Sequence, residues 1–106
     1  MLKGVIELAL MSLLEDGPQY GLRILDLLRD QAGLDLADGT VYPLLHRLEK
    51  AGLAQAQWRL EDGASHPRKY YILTPAGAGE LTDQRAAWLQ MSARLNAFLQ
   101  RGKTDA

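Results

Sequence analysis

The stretch Asp38-Gly39-Thr40-Val41-Tyr42-Pro43-Leu44-Leu45-His46-Arg47-Leu48-Glu49-Lys50-Ala51-Gly52-Leu53, continuing through Ala54-Gln55-Ala56-Gln57-Trp58-Arg59-Leu60, changes its hydrophobic period midway, and that change decides the fold. Val41, Leu44, Leu45 and Leu48 recur at spacings of three and four, the buried stripe of a helix. Asp38 is placed to cap it, and Gly52 to end it in a left-handed conformation. From Ala54 to Leu60 the period is two: Ala54, Ala56, Trp58 and Leu60 alternate with Gln55, Gln57 and Arg59, as in a half-buried strand. Glu61 to Pro67, containing Asp62-Gly63, is a polar loop. Arg68 to Leu73 returns as a second strand rich in aromatic and β-branched residues.

Upstream, Leu2, Val5, Ile6, Ala9, Leu10, Leu13 and Leu14 mark a first helix that Asp16-Gly17-Pro18 stops. A second helix is expected from about Gln19, with Ile24, Leu25 and Leu28 inward, fading through Gln31-Ala32-Gly33; Leu34 and Leu36 then pack on the core. Downstream, Thr74-Pro75 is a helix start, hydroxyl as cap and proline at the first helical position. That last helix runs to about Arg101, with Gly102 to Ala106 as a frayed tail. Leu81, Trp88 and Leu95 fall seven apart, with Met91 and Phe98 three beyond the latter two; the stripe is heptad-like, broken once at Gln84.

Composition narrows the function. A chain of 106 residues, 47% hydrophobic, has the apolar content for one modest core, and dimerisation is the usual way for so small a domain with a long terminal helix to complete it. There is no cysteine, which excludes disulfides, thiolate metal sites and cysteine nucleophiles and fits a reducing, cytoplasmic setting. No stretch has the length of apolar residues that spans a membrane, since Lys3 and Glu7 interrupt the apolar start. The two histidines have no acid at a recognisable spacing, and no phosphate loop or metal-ligand motif occurs, so neither enzyme, metal nor cofactor is expected.

The formal net charge of −1 does not by itself suggest nucleic acid, but its distribution does: Thr40 to Tyr70 holds five cations (Arg47, Lys50, Arg59, Arg68, Lys69) against three anions (Glu49, Glu61, Asp62). With its stripe inward, the third helix turns outward Gly39, Thr40, Tyr42, Pro43, His46, Arg47 and Lys50. Gly39 and Thr40 allow close backbone approach where free N–H groups favour phosphate; Tyr42 and Arg47 can donate to phosphates or base edges; Pro43 offers an apolar contact for a thymine methyl. Arg59, His66, Arg68 and Lys69 place cations on the hairpin, where it could straddle a phosphate backbone. The element order matches a winged helix-turn-helix: mainly α with a small antiparallel β-hairpin, plus a long C-terminal dimerisation helix. Residues 1–74 form the expected DNA-binding domain and residues 75–106 the dimerisation helix and tail.

The run Gly39 to Leu53, followed by Pro67-Arg68-Lys69-Tyr70-Tyr71-Ile72-Leu73-Thr74-Pro75-Ala76-Gly77, closely resembles the PadR family of bacterial transcriptional regulators, and Tyr20-Gly21 after Gly17-Pro18 matches too. The resemblance extends from about Leu2 to Leu99. It implies a homodimeric repressor of an inverted-repeat operator in double-stranded DNA, paired through the C-terminal helix. Thr40, Tyr42, Pro43 and Arg47 would then lie at the major groove, with His46 and Lys50 on the same face. Tyr20 would touch a backbone phosphate, and Arg68 and Lys69 would anchor the wing. Leu81, Trp88, Met91, Leu95 and Phe98 would form the dimer seam. Tyr70 and Tyr71 alternate, so one is core and the other exposed.

Having a single C-terminal helix, the chain resembles the short subgroup of that family. In some of its members a small planar or aromatic effector enters a cleft at the dimer interface, and Trp88 sits at a matching place; the alternative is that Trp88 only fills the seam, as aromatics at heptad spacing usually do. A winged helix can also serve as a protein-binding module without specific DNA binding. Such a wing would expose a contiguous apolar patch.

Overall fold

The computed structural model describes residues 2–102, so of the expected tail only Gly102 falls within the described residues. Helix α1 (Leu2–Glu15) gives Ile6, Leu10, Met11 and Leu14 to the core. Helix α2 (Gly21–Ala32) adds Ile24 and Leu28, and ends at Gly33, whose φ of 67° is the left-handed turn that glycine takes without strain. Leu34 and Leu36 pack against that core from the connection, as their alternation with Asp35 suggests.

Helix α3 (Asp38–Lys50) buries Val41, Leu44, Leu45 and Leu48, the four residues of its sequence stripe. Asp38 is its first helical residue rather than its cap. Ala37 holds the cap position, and the Asp38 carboxylate instead accepts the adjacent Gly39 N–H at 2.8 Å, still favourably placed at the positive end of the helix dipole.

The sheet departs from expectation by one strand. Gln19 and Tyr20, expected to open α2, form a two-residue strand β1 (Gln19–Tyr20), so the sheet of β1, β2 (Ala54–Arg59) and β3 (Arg68–Leu73) is antiparallel in the order β1-β3-β2. Two residues carry no period, so the sequence gives no warning. The edge of β3 would otherwise stand unpaired, and Gln19 opposite Tyr71 and Tyr20 opposite Tyr70 supply its partners.

The alternation of β2 is half realised. Ala54 is buried and Ala56 packs on the core, but Trp58 and Leu60 are 69% and 65% exposed. The hairpin outruns the helical body, so only its base has anything to cover. On β3 the same geometry makes Tyr71 the core tyrosine, paired across from Ala56, and leaves Tyr70 on the outer face with Tyr20.

Helix α4 (Pro75–Leu99) begins as its sequence says: the Thr74 hydroxyl accepts the Gly77 N–H at 3.0 Å and donates to the Gly52 carbonyl at 2.6 Å. One side chain therefore joins the turn after α3 to the start of α4. Twenty-five residues of helix span about 37 Å. Its first turns pack on α1 and the sheet, Arg85 pairs with Glu15 at 2.7 Å, and beyond Trp88 it runs clear of the body, which stretches the molecule to 63 × 26 × 21 Å.

Candidate nucleic-acid interface

The outward face of α3 is exposed at Gly39, Thr40, Tyr42, Pro43, His46, Arg47 and Lys50, as the burial of its opposite stripe requires. Pro43 sits inside the helix and removes one ladder bond, leaving the Gly39 carbonyl on the exposed face where water or another donor can reach it. Tyr42 leans toward α2: a Cβ added to Gly21 would lie 2.7 Å from its ring, so glycine is what lets the two helices approach here. Burial raises the Tyr42 phenol above its ordinary value, with Asp38 and Tyr71 adding to the effect, and the hydroxyl stays a donor.

The flank of α3 that carries Tyr42 faces β3. Between them an open groove of about 360 Å³ is lined by Tyr20, Gly21, Leu22, Tyr42, Arg68, Lys69 and Tyr71. Cations and phenols on an apolar floor suit the deoxyribose-phosphate backbone of DNA. Tyr20 stands at the head of α2, as expected. Its ring meets Tyr70 edge-on at 5.4 Å, and the Arg68 guanidinium lies 4.7 Å above it. Arg59 covers the Tyr70 ring at 5.0 Å and donates to Gln57, while the Tyr70 hydroxyl donates to Glu61 at 2.7 Å, a bond that raises its pKa. The wing cations are thus braced by aromatic rings on the outer sheet face.

Ion pairs tie down others. Lys69, over the Tyr71 ring, stands 3.6 Å from Glu49, which also faces His46 at 3.9 Å; Arg47 lies 3.4 Å from Glu7 of α1. Neither glutamate is singled out by sequence reasoning. Glu49 falls beside the α3 stripe, and Glu7 is 40 residues from its partner. Lys50 and His66 are exposed. Among the described residues no group of His, Cys, Asp or Glu is arranged to hold a metal ion, and no helix is long and apolar enough to cross a membrane.

The expected seam on α4 needs one correction. Leu81 is fully buried in the chain's own core, because α4 still lies against α1 and the sheet at that point, so it is not free to meet a partner. Trp88 is half-buried beside α1, between a groove of about 250 Å³ that includes Gly4, Val5, Leu8 and Met91 and another of about 340 Å³ that includes Ala9, Leu34 and Arg85. Past it Met91, Leu95 and Phe98 are exposed, joined by Leu89 and Leu99, which the heptad reading omitted.

A short exposed helix on a helical core, flanked by a three-stranded wing and followed by a long helix, defines a winged helix-turn-helix protein of the kind found among transcriptional regulators. The chain belongs to the PadR-like family of transcriptional regulators, whose model matches residues 10–83. It is similar in structure to a PadR-like transcription factor from Bacteroides fragilis, at 36% identity over 92% of this chain and 93% of that one, with a TM-score of 0.78. A PadR-like transcriptional regulator from Bacillus cereus superposes with a TM-score of 0.84 at 29% identity, covering 94% of this chain and 96% of that one. Transcriptional regulator Rv3488 of Mycobacterium tuberculosis is 46% identical over 55 residues, 52% of this chain and 50% of that relative, so the match spans half of the relative's length.

Proposed function

We propose that the protein binds double-stranded DNA sequence-specifically as a homodimer and represses transcription from an inverted-repeat operator. The observation that carries this is the continuity of one surface. Tyr42 of α3 lines the same groove as Tyr20, Arg68 and Lys69, and Thr40, Pro43, His46, Arg47 and Lys50 are exposed on the same helix, which puts donors and cations where a DNA groove and its flanking backbone would need them. The exposed apolar end of α4 supports the dimer, since Leu89, Met91, Leu95, Phe98 and Leu99 are each at least 43% exposed. In that dimer the grooves beside Trp88 are where a planar or aromatic effector would enter. One observation favours a protein partner instead: the wing exposes Trp58 and Leu60. Among the described residues these are the wing's only exposed large hydrophobic side chains, and Arg59, between them in sequence, turns instead to the Tyr70 ring.

A mobility-shift titration with duplex from the promoter beside the protein's own gene tests the reading. Salt-sensitive binding to an inverted repeat with half-sites about one helical turn apart is expected. Equal affinity for random duplex would refute specific repression.

A further inference from the structure

Among the described residues two buried side-chain oxygens have no hydrogen-bond partner, Glu7 Oε1 and Glu49 Oε1. Both are aimed at cations of the candidate interface. Glu7 Oε1 lies 3.4 Å from Arg47 Nη1, while Glu49 Oε1 lies 3.6 Å from Lys69 Nζ and 3.9 Å from His46 Nδ1. A carboxylate oxygen buried without a hydrogen bond costs free energy that a neighbouring cation offsets. The two sides of the Glu7 pair differ in exposure: its side chain is 16% exposed and that of Arg47 is 55%. The anion is therefore fixed inside the fold while the cation remains reachable from outside. One guanidinium nitrogen faces Glu7, leaving most of the five N–H donors for a ligand. Glu49 and Lys69 are about equally exposed, at 32% and 34%, so there it is the position of the buried Oε1 between α3 and β3 that links the wing to the helix.

We propose that Glu7 and Glu49 are specificity-determining positioning residues: they hold Arg47 and Lys69 in fixed attitudes on the DNA-facing surface and oppose their capture by arbitrary phosphates. This rests on the DNA-binding reading. Each carboxylate subtracts attraction that every duplex would share and keeps the contact that a matching site alone can satisfy. A salt bridge serving the fold alone would change melting temperature and leave sequence discrimination as it was.

The test uses the full chain, with fluorescence anisotropy on labelled duplex from its own promoter and on a shuffled duplex of equal length, over a range of salt. Glu7→Gln and Glu49→Gln should each tighten binding to the shuffled duplex about threefold, steepen the slope of log K against log salt by up to about one, and lower the promoter-to-shuffled ratio. The effect of Glu7→Gln should vanish in an Arg47→Ala background, and that of Glu49→Gln in Lys69→Ala. Unchanged slope and ratio, or an effect that survives in those backgrounds, overturns the proposal. If Glu7→Gln does not fold, Glu7→Asp keeps the charge but lengthens the pair; the ratio should fall at wild-type slope, and a wild-type ratio overturns the proposal. Wild-type protein with no preference for its promoter duplex sinks the DNA-binding reading and this inference together, whereas a specific wild type with indifferent glutamine variants sinks the inference alone.

Discussion

Gly77 and Gly79 lie two residues apart in α4, and the same substitution should act on them with opposite sign. A Cβ at Gly77 would overlap the Leu53 carbonyl oxygen outright and lie 2.7 Å from Leu73 Cδ1. The leucine can rotate away. The carbonyl cannot, because it belongs to the turn between α3 and β2 and also accepts the Thr74 N–H at 3.1 Å. Gly77→Ala must therefore lift α4 from that turn, an overpacking cost of about 1 to 3 kcal/mol, with up to about 1 kcal/mol more for a weakened hydrogen bond. Helix propensity returns at most about 1 kcal/mol, which leaves a net loss of roughly 1 to 3 kcal/mol. At Gly79 nothing lies within 4 Å of an added Cβ, so only the propensity gain of up to about 1 kcal/mol remains. Thermal melts at one fixed protein concentration should show Gly77→Ala lowered by about 5 to 20 °C and Gly79→Ala raised by a few degrees. A Gly77→Ala protein as stable as wild type, or a Gly79→Ala protein destabilised to the same extent, would refute the close approach of α4 to the α3 turn.

Arg47→Ala should weaken binding to the specific duplex by about 1 to 3 kcal/mol if the guanidinium reads a base, seen in a mobility-shift titration, whereas a uniform loss across sequences would restrict it to phosphate. Leu95→Glu with Phe98→Glu places charge on the exposed stripe of α4 and should give monomers in sedimentation at unchanged helix content, since neither side chain belongs to the chain's own core; an unchanged dimer would put the interface elsewhere. The Tyr42 phenol, raised by burial, favours its neutral form in the folded state. Its contribution to stability is complete below the ordinary tyrosine value near about 10 and is lost as pH rises through the higher folded value. An ultraviolet tyrosinate titration should lose a late component in Tyr42→Phe while that of Tyr70, raised by its bond to Glu61, remains; loss of a component at the ordinary tyrosine value instead would contradict the raised Tyr42 phenol.

The order of the four helices and the hairpin was legible because each of them announces itself locally, whereas the two residues of β1 do not. The α3 stripe, the period-two run into β2 and the Thr74-Pro75 helix start all appear where spacing and capping put them. The outward face of α3 follows from the same arithmetic, since four buried positions on a short helix leave little choice about the rest. Trp58 and Leu60 show the limit of such reasoning. An alternating pattern says which face of a strand is apolar, but not how far along that face the body extends to cover it.

Leu81 shows the same limit at longer range. A heptad stripe in one chain looks alike whether α1 or a second copy covers it, and the packing of α4 on α1 assigns Leu81 to the core while leaving Met91, Leu95 and Phe98 outside. Local sequence thus sets period, caps and the chemistry carried by each face. Contacts between residues far apart in the chain arise only when the chain closes: Glu7 on Arg47, Glu49 on Lys69, Tyr20 on Tyr70 and Gly77 under Leu53. These depend on how helices and strands lie against one another, which no spacing along the chain encodes, and they determine which of the cations visible in the sequence stand free and which are already held.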